Sequence, residues 1–357
     1  MSGAALPSPS RSGGRLRALV LCPGRGSYGR ESLGQLQALP PGPAQAVVDA
    51  FDAARGARGL PTTRALDAEP ALRPALHAAG EHASALTAAC SLADVAQIDQ
   101  ARFEIVGVCG NSMGWYTALT AGGALPLADG VQLIETFGGW QRDNVIGGQA
   151  LLPLTDEEWR PEAWRLDRVN DLVQRIPDLH WSIRLGGQAV LGGTEAALAA
   201  LSAAVPPEER AGVRFPLRLP LHSAFHTPLM AATAQKAQAL RTLGWRAPAV
   251  TLIDGQGSVW SPRSADPGAL AAWTLGPQVD QAFDFTTMLR VALGELAPEV
   301  IILPGPGANL GSAVAQVMIG LGWQGLRDRQ AFLRRQAERP LVLSMGRPDQ
   351  RALVRAP

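Results

Sequence analysis

A serine stands between two glycines at residues 110–114, where the chain reads Gly-Asn-Ser-Met-Gly and fits the pattern G-x-S-x-G. An apolar run at 103–108 precedes the pattern, and a stretch with helical spacing at 115–125 follows it. A tight turn from a strand into a helix requires small flanking residues and holds the serine hydroxyl clear of the sheet. The N–H groups of the first helical turn then favour a developing oxyanion. The pattern predicts that Ser112 is a nucleophile; the alternative is an ordinary turn bounded by glycines.

A serine nucleophile needs a general base within hydrogen-bond distance, and the chain has five histidines. His222 and His226 lie in LHSAFHTPLM, just after a predicted strand at 213–221, which is where a catalytic base is expected. The pair could also bind a metal at i and i+4, but Pro220 and Pro228 argue against the helix that this needs, and no third ligand is evident. We therefore predict no metal site. The remaining histidines are predicted to be surface or packing residues: His77, His82 and His180.

Residues 24–29 match G-x-G-x-x-G after the apolar run 16–22, with Asp49 and Asp52 some twenty residues further on. This is the pattern of a dinucleotide-binding loop. Pro23 before the loop, the lack of a clear helix start within it and the lack of a second mononucleotide half argue against that interpretation. The alternative is a glycine loop that lets the backbone approach the active site.

The composition is that of a globular protein: 357 residues, 46% apolar and 18% charged, with a net charge of +1. This balance predicts neither nucleic acid nor an anionic membrane as a partner. The only lysine is Lys236, which argues against Schiff-base chemistry and a P-loop. The cysteines form no CxxC pair and are odd in number, which suits a reducing compartment. With no signal-peptide-like or membrane-spanning run, we expect a cytoplasmic protein.

The predicted strands end in Gly- and Pro-rich loops and alternate with helical stretches, which indicates an α/β fold with a mostly parallel sheet. Residues 31–100 are predicted to form several helices. The segment 146–218 changes character and is predicted to be a small inserted α+β subdomain. The core then comprises 15–145 and 219–326. Residues 1–14 are predicted to be a disordered leader, and 327–357 a C-terminal extension with a helix and a frayed end.

Five segments, in order, resemble malonyl-CoA:acyl-carrier-protein transacylases and the acyltransferase domains of fatty-acid and polyketide synthases. They cover about residues 16–325 and read LVLCPGRGS, GNSMGWYTALTAGGALPLADGVQLI, GGQAVLGGTEAALAAL, LHSAFHTPLM and LPGPGANL. The resemblance implies an α/β-hydrolase-like core with an inserted ferredoxin-like subdomain. It also implies transfer of an acyl group from acyl-CoA to the phosphopantetheine of acyl carrier protein, with no permanently bound cofactor.

The resemblance also implies roles for individual residues. Ser112 corresponds to the acylated serine and His226 to its base, while the main-chain carbonyl of Gln278 orients the histidine. The N–H groups of Met113 and Arg25 correspond to the oxyanion hole.

Four residues depart from the family's pattern. Arg25 replaces a glutamine, Asn111 a histidine and Trp115 a glutamate, while Phe137 replaces the arginine that pairs with the substrate carboxylate of malonyl-using members. We expect Asn111 and Phe137 to contact the substrate. Since a phenyl ring cannot pair with a carboxylate, we predict an uncharged acyl group, unless Arg25 or Arg142 supplies the cation. The alternative for Phe137 is plain core packing.

Three other functions stay open at this point. An acyl-thioester hydrolase of the same fold would share the serine and histidine, and an inactive relative could serve as a docking module for carrier protein. A dinucleotide oxidoreductase would use the loop at 24–29. The arginine excess offers contacts to the phosphates of CoA and to an acidic carrier protein.

Overall fold

The computed structural model describes residues 14–37, 39–143 and 145–356, so that of the leader predicted at 1–14 only Gly14 lies among the described residues. The strands in these ranges are, in chain order, β1 (Leu16–Cys22), β2 (Phe103–Gly110), β3 (Gly148–Pro153), β4 (Leu179–Leu185), β5 (Gln188–Gly193), β6 (Glu208–Arg210), β7 (Val213–Phe215), β8 (Leu217–Leu219), β9 (Leu252–Ile253), β10 (Val259–Trp260), β11 (Phe283–Asp284), β12 (Val300–Leu303) and β13 (Val342–Ser344).

The α-helices of the same ranges are α1 (Pro43–Gly56), α2 (Thr63–Asp67), α3 (Pro74–His77), α4 (Gly80–Val95), α5 (Gly114–Ala121), α6 (Leu127–Asp143), α7 (Ala163–Arg175), α8 (Glu195–Ala204), α9 (Ala231–Ala237), α10 (Pro267–Leu275), α11 (Pro277–Asp280), α12 (Phe285–Leu296), α13 (Leu310–Gly320), α14 (Arg329–Glu338) and α15 (Pro348–Val354). The expectation of several helices within residues 31–100 is met by α1 to α4.

The central sheet has the strand order β10-β9-β2-β1-β12-β13, and every neighbouring pair is parallel except β9 and β10. Successive side chains of β1 enter different cores: Ala18 and Val20 pack on one face, Leu19 and Leu21 on the other. This is the period-two alternation of a strand that is buried on both faces, and it explains why the run 16–22 is apolar throughout. The predicted α/β class with a mostly parallel sheet is confirmed.

The smaller sheet contains a β-α-β-β-α-β unit formed by β3, α7, β4, β5, α8 and β8, with the strand order β4-β5-β3-β8. This is the ferredoxin-like arrangement, and it has its own apolar core. The predicted strand at 213–221 is instead two short strands, β7 and β8, with Pro216 between them, because proline cannot donate to a sheet ladder. β11 pairs with β4, so a segment outside 146–218 extends this sheet. The domain boundaries drawn from the sequence remain a proposal.

The C-terminal residues do not fray within the range that the structure describes, and that part of the prediction for 327–357 is wrong. After α14, strand β13 pairs in parallel with β12 and completes the central sheet. Helix α15 follows, and Arg351 and Arg355 both contact the carboxylate of the buried Asp94 in α4. The strand was missed because only three residues form it and an arginine-rich helix precedes it.

None of the helices in the described ranges is both long enough and apolar enough to cross a lipid bilayer.

Candidate active site

Three loops at the carboxyl ends of β1, β2 and β12 pack against one another. Gly24, after β1, is so close to the turn after β2 that a Cβ on it would lie 2.8 Å from the carbonyl oxygen of Asn111. The Nδ2 of Asn309, after β12, donates to the carbonyl oxygen of Gly26. In open α/β sheets this edge is where ligands bind. The loop at 24–29 leads into a 3-10 turn at Arg30–Ser32 rather than a helix, as the glycine-loop interpretation requires.

The turn between β2 and α5 has the geometry of a nucleophile elbow. Ser112 has a φ of 55°, a left-handed conformation that costs free energy in a residue with a Cβ. A Cβ on Gly110 would lie 2.0 Å from the carbonyl oxygen of Gly114, and one on Gly114 would lie 2.3 Å from that of Cys22. Only glycine fits at either position, which is the physical reason for the G-x-S-x-G pattern.

His226 lies within hydrogen-bond distance of the serine although 113 residues separate them in the chain. Its Nε2 is 2.7 Å from Ser112 Oγ, and its Nδ1 is 2.8 Å from the carbonyl oxygen of Gln278. A carbonyl oxygen only accepts, so Nδ1 carries the proton and Nε2 is free to accept the serine proton. The structure therefore brings together the three residues that were predicted as catalytic.

Gln278 contacts both members of the pair. Its main-chain carbonyl accepts from His226, and its side-chain Nε2 donates to the carbonyl oxygen of Ser112 over 3.0 Å. The residue lies in the short helix α11 and is buried. One residue thus orients the imidazole and holds the strained serine backbone, with no carboxylate in either contact.

The imidazole of His226 is buried, and this lowers its pKa to about 4. Burial is the main cause, and the positive charge of Arg25 acts in the same direction, while the hydrogen bond to Gln278 opposes both. His226 is consequently neutral at pH 7. A neutral imidazole is the form that can accept a proton from serine.

Two main-chain N–H groups beside Ser112 are unpaired. Within the described residues neither Met113 nor Arg25 donates its main-chain N–H to an acceptor. The loop that carries Arg25 passes close to Ser112, since a Cβ on Gly24 would lie 3.6 Å from Ser112 Cβ. Unpaired donors at this location suit an oxyanion, and the assignment of both groups to an oxyanion hole stays a prediction.

A pocket opens in front of Ser112 and His226, and aromatic side chains form much of its wall. Phe137, from α6, stacks on Tyr116 with ring centroids 4.7 Å apart and meets Trp140 edge to face. Its ring both packs in the core and lines the pocket, so the two interpretations of Phe137 are not exclusive. Asn111 is buried against Gly24 and is not among the lining residues, unlike the expectation that it contacts substrate.

The two arginines considered as substitutes for the missing cation differ in their surroundings. The Nη1 and Nη2 atoms of Arg25 are buried in the pocket wall and have no hydrogen-bond partner among the described residues. The guanidinium lies over the ring of Phe225 at 4.5 Å. Arg142, by contrast, is half exposed and pairs with Glu81 at 3.3 Å. Only Arg25 lines the pocket.

Several pocket residues were missed by the sequence analysis, among them Phe225, Tyr116 and Gln141. Phe225 gave no usable signal, because adjacency to His226 does not determine where a side chain points. The spacing of Gln141 four residues after Phe137 is a usable signal, because both lie on one face of α6.

The histidines other than His226 whose contacts are described have structural surroundings, as expected for His77 and His82. His77 and His82 are buried, the first beside the carbonyl oxygen of Leu66 and the second beside Arg55. His222 Nδ1 lies 2.8 Å from the carbonyl oxygen of Pro220. Across the ranges that the structure describes, no group of three or more potential ligands is arranged to bind a metal ion.

Comparison with known proteins gives similarity in structure alone. No protein-family model matches the chain. No curated protein matches it either. Among solved structures, the malonyl-CoA:acyl-carrier-protein transacylase of Synechocystis sp. PCC 6803 has a TM-score of 0.72 at 19% identity, covering 95% of this chain and 100% of its own.

Two further solved structures show the same similarity. The corresponding transacylase of Xanthomonas oryzae pv. oryzae has a TM-score of 0.69 at 22% identity, covering 94% of this chain and 96% of its own. A malonyl-transacylase solved in complex with a type II polyketide synthase acyl-carrier protein has a TM-score of 0.69 at 17% identity, covering 95% of this chain and 99% of its own. The chain shares the fold of these proteins over nearly its whole length.

Proposed function

We propose that this protein is an acyl-carrier-protein S-acyltransferase that moves an acyl group from CoA to the phosphopantetheine thiol of a carrier protein through an acyl-serine. The observation that carries the proposal is the 2.7 Å contact between Ser112 Oγ and His226 Nε2, with the imidazole held by the Gln278 carbonyl. Two of the structural neighbours are malonyl-CoA:acyl-carrier-protein transacylases, and this similarity supports the same reaction class.

In the first half-reaction Ser112 Oγ attacks the thioester carbonyl of acyl-CoA and gives its proton to His226 Nε2. The oxyanion accepts hydrogen bonds from the N–H groups of Met113 and Arg25. The C–S bond then breaks, and CoA leaves as a thiol with the proton from His226. An acyl-serine remains, and no permanently bound cofactor is needed.

In the second half-reaction the phosphopantetheine thiol of carrier protein gives its proton to His226 and attacks the acyl-serine. The serine oxygen leaves and regains a proton from the imidazole. Water in place of the thiol would give hydrolysis, which is the second candidate function and uses the same residues.

The acyl group is the finer part of the proposal. Phe137 alone favours an uncharged group, because an aromatic ring cannot neutralise a carboxylate. A carboxylated acyl group becomes possible if Arg25 or Arg142 supplies the cation that Phe137 lacks. The unpaired guanidinium of Arg25 in the pocket wall supports the exception, whereas the surface pair between Arg142 and Glu81 does not.

Intact-mass spectrometry after incubation with a panel of acyl-CoA thioesters tests the proposal. The wild-type protein should gain one acyl mass, and Ser112→Ala should gain none. Ser223→Ala is the matched control, because this serine lies near the pocket but pairs with Gln141, and its variant should acylate normally.

A chase with the thiol form of carrier protein then separates transferase from hydrolase. Rapid loss of the acyl mass only when the carrier thiol is present identifies a transferase, and equal loss without it identifies a hydrolase. Absence of any acyl mass on the wild-type protein with every thioester would contradict both and favour an inactive docking module.

A further inference from the structure

The side chain of Arg25 lies in the wall of the pocket that contains Ser112 and His226. Arg25 as a whole is partly exposed, but the Nη1 and Nη2 atoms of its guanidinium are buried. Nη1 lies near the start of α4, 2.9 Å from where a Cβ on Gly80 would be. The guanidinium packs over the ring of Phe225. The charged end of the side chain is therefore buried beside the pocket rather than exposed to solvent.

No described residue neutralises this charge. Two acidic side chains on neighbouring helices, Glu81 of α4 and Glu135 of α6, are already paired: Glu81 contacts Arg142, and Glu135 contacts Arg55 and Arg58. Burial lowers the pKa of Arg25 to about 10, so the guanidinium stays protonated at neutral pH. A buried cation without a partner is costly, and folded proteins rarely retain one without a use.

The geometry points to Arg25 as the group that binds a carboxylate at the far end of the acyl chain, and so selects carboxyacyl over uncharged acyl thioesters. This inference rests on the proposed function. A guanidinium with both terminal nitrogens unpaired presents the fork that a carboxylate accepts from in bidentate fashion. Phe137 and Tyr116 give the apolar flank for the methylene carbons, while the cation comes from the loop after β1 instead of from α6.

The oxyanion of the acyl transfer is a second anion near the same residue, and the experiment separates the two. A side chain that serves the oxyanion acts on every acyl group alike, whereas one that binds the distal carboxylate acts only on carboxyacyl groups. Malonyl-CoA and butyryl-CoA carry acyl groups of similar size, and only the first has a distal carboxylate.

The rate at which the acyl mass appears on Ser112 is measured with both thioesters in wild type, Arg25→Gln, Arg25→Lys and the matched control Arg142→Gln. We expect Arg25→Gln to lower the malonyl rate by about 10- to 100-fold more than it lowers the butyryl rate. Arg25→Lys, which keeps the charge and loses the fork, should lie between wild type and Arg25→Gln. Arg142→Gln should match wild type. Equal slowing with both thioesters, or no change in their ratio, would overturn the inference.

A binding measurement keeps this inference separate from the proposed function. In Ser112→Ala no acyl-serine forms, so calorimetric titration with malonyl-CoA and butyryl-CoA reports recognition alone. Ser112→Ala should bind malonyl-CoA at least about tenfold more tightly than butyryl-CoA, and adding Arg25→Gln should abolish the difference. If wild-type Ser112 is never acylated, the proposed function fails while this ratio still decides the role of Arg25. Equal ratios in the two backgrounds refute it.

Discussion

Two arginines whose terminal nitrogens are buried approach the first turn of α4, and their surroundings differ. Arg55, from α1, is fully buried and donates to four groups: the carbonyl oxygens of Pro61 and Glu81, the Glu135 carboxylate and the ring of His82. Arg25 has equally buried terminal nitrogens and none of these partners. The same fold thus satisfies one cation completely and leaves the other, beside the pocket, without a hydrogen-bond partner among the described residues.

The difference separates a structural charge from a charge that waits for a ligand. A paired buried arginine is evidence of how the helices are held together, and its removal is expected to affect stability. A buried arginine without a partner lowers the stability of the protein, and such a cost is typical of residues that serve binding. Breaking the Arg55 pair should therefore destabilise the protein, whereas removing the Arg25 charge should stabilise it.

The largest expected effect on stability follows from breaking the satisfied site. Glu135→Gln leaves Arg55 buried without its anionic partner, and we expect the free energy of unfolding to fall by about 3 kcal/mol. Urea denaturation followed by circular dichroism measures the loss. The matched control is Glu195→Gln, which removes an exposed partner of Arg218 and should change stability by less than about 0.5 kcal/mol. A loss below about 1 kcal/mol for Glu135→Gln would mean that the Arg55 pair is not structural.

The opposite sign is expected at the open site. Arg25→Met keeps an apolar stem and removes the unpaired charge, so the free energy of unfolding should rise by about 1 kcal/mol. The gain is limited because the contact between the guanidinium and Phe225 is lost as well. The same denaturation experiment measures it. A loss of more than about 1 kcal/mol would place Arg25 with Arg55 among the structural arginines.

The sequence predicted the elbow, the partners of Ser112 and the ferredoxin-like unit better than it predicted the surroundings of Arg25. The elbow could be recognised because its geometry depends on two local glycines, Gly110 and Gly114, which no other residue can replace. His226 and Gln278 could be assigned because their segments resemble a known family. The ferredoxin-like unit likewise followed from that resemblance.

What the sequence could not provide was the direction of side chains that distant elements determine. The position of the Arg25 guanidinium depends on Phe225 and on the start of α4, which are far apart in the chain. The pairing of β11 with β4 and of β13 with β12 depends on two or three residues each, too few to carry a recognisable period. Asn111, which stands in place of the family's histidine, was expected to contact substrate, yet its side chain packs against Gly24.

The smallest expected effect is on the titration of His226, which the charge of Arg25 influences from the same pocket. Burial and that charge hold the pKa of His226 at about 4 in the folded protein, below the ordinary value of 6.5. The protonated imidazole cannot accept the serine proton, so the second-order rate of acylation should fall as the pH drops through about 4. In Arg25→Gln one cause of the lowered pKa is removed, and the acid limb should move upward while staying below 6.5, because burial remains.

The pH dependence of stability has a sign that follows from the same shift. Between about pH 6.5 and 4 the unfolded chain binds a proton at this histidine and the folded protein does not, so His226 makes the protein less stable as the pH falls through that window. The loss of stability should be smaller in Arg25→Gln, because the pKa of His226 in the folded variant is closer to its value in the unfolded chain. Acylation rates with butyryl-CoA between pH 4 and 8 give the first measurement, since that substrate has no distal carboxylate, and urea denaturation at pH 7 and pH 5 gives the second. An acid limb that is identical in wild type and Arg25→Gln would show that the Arg25 charge does not reach the catalytic imidazole.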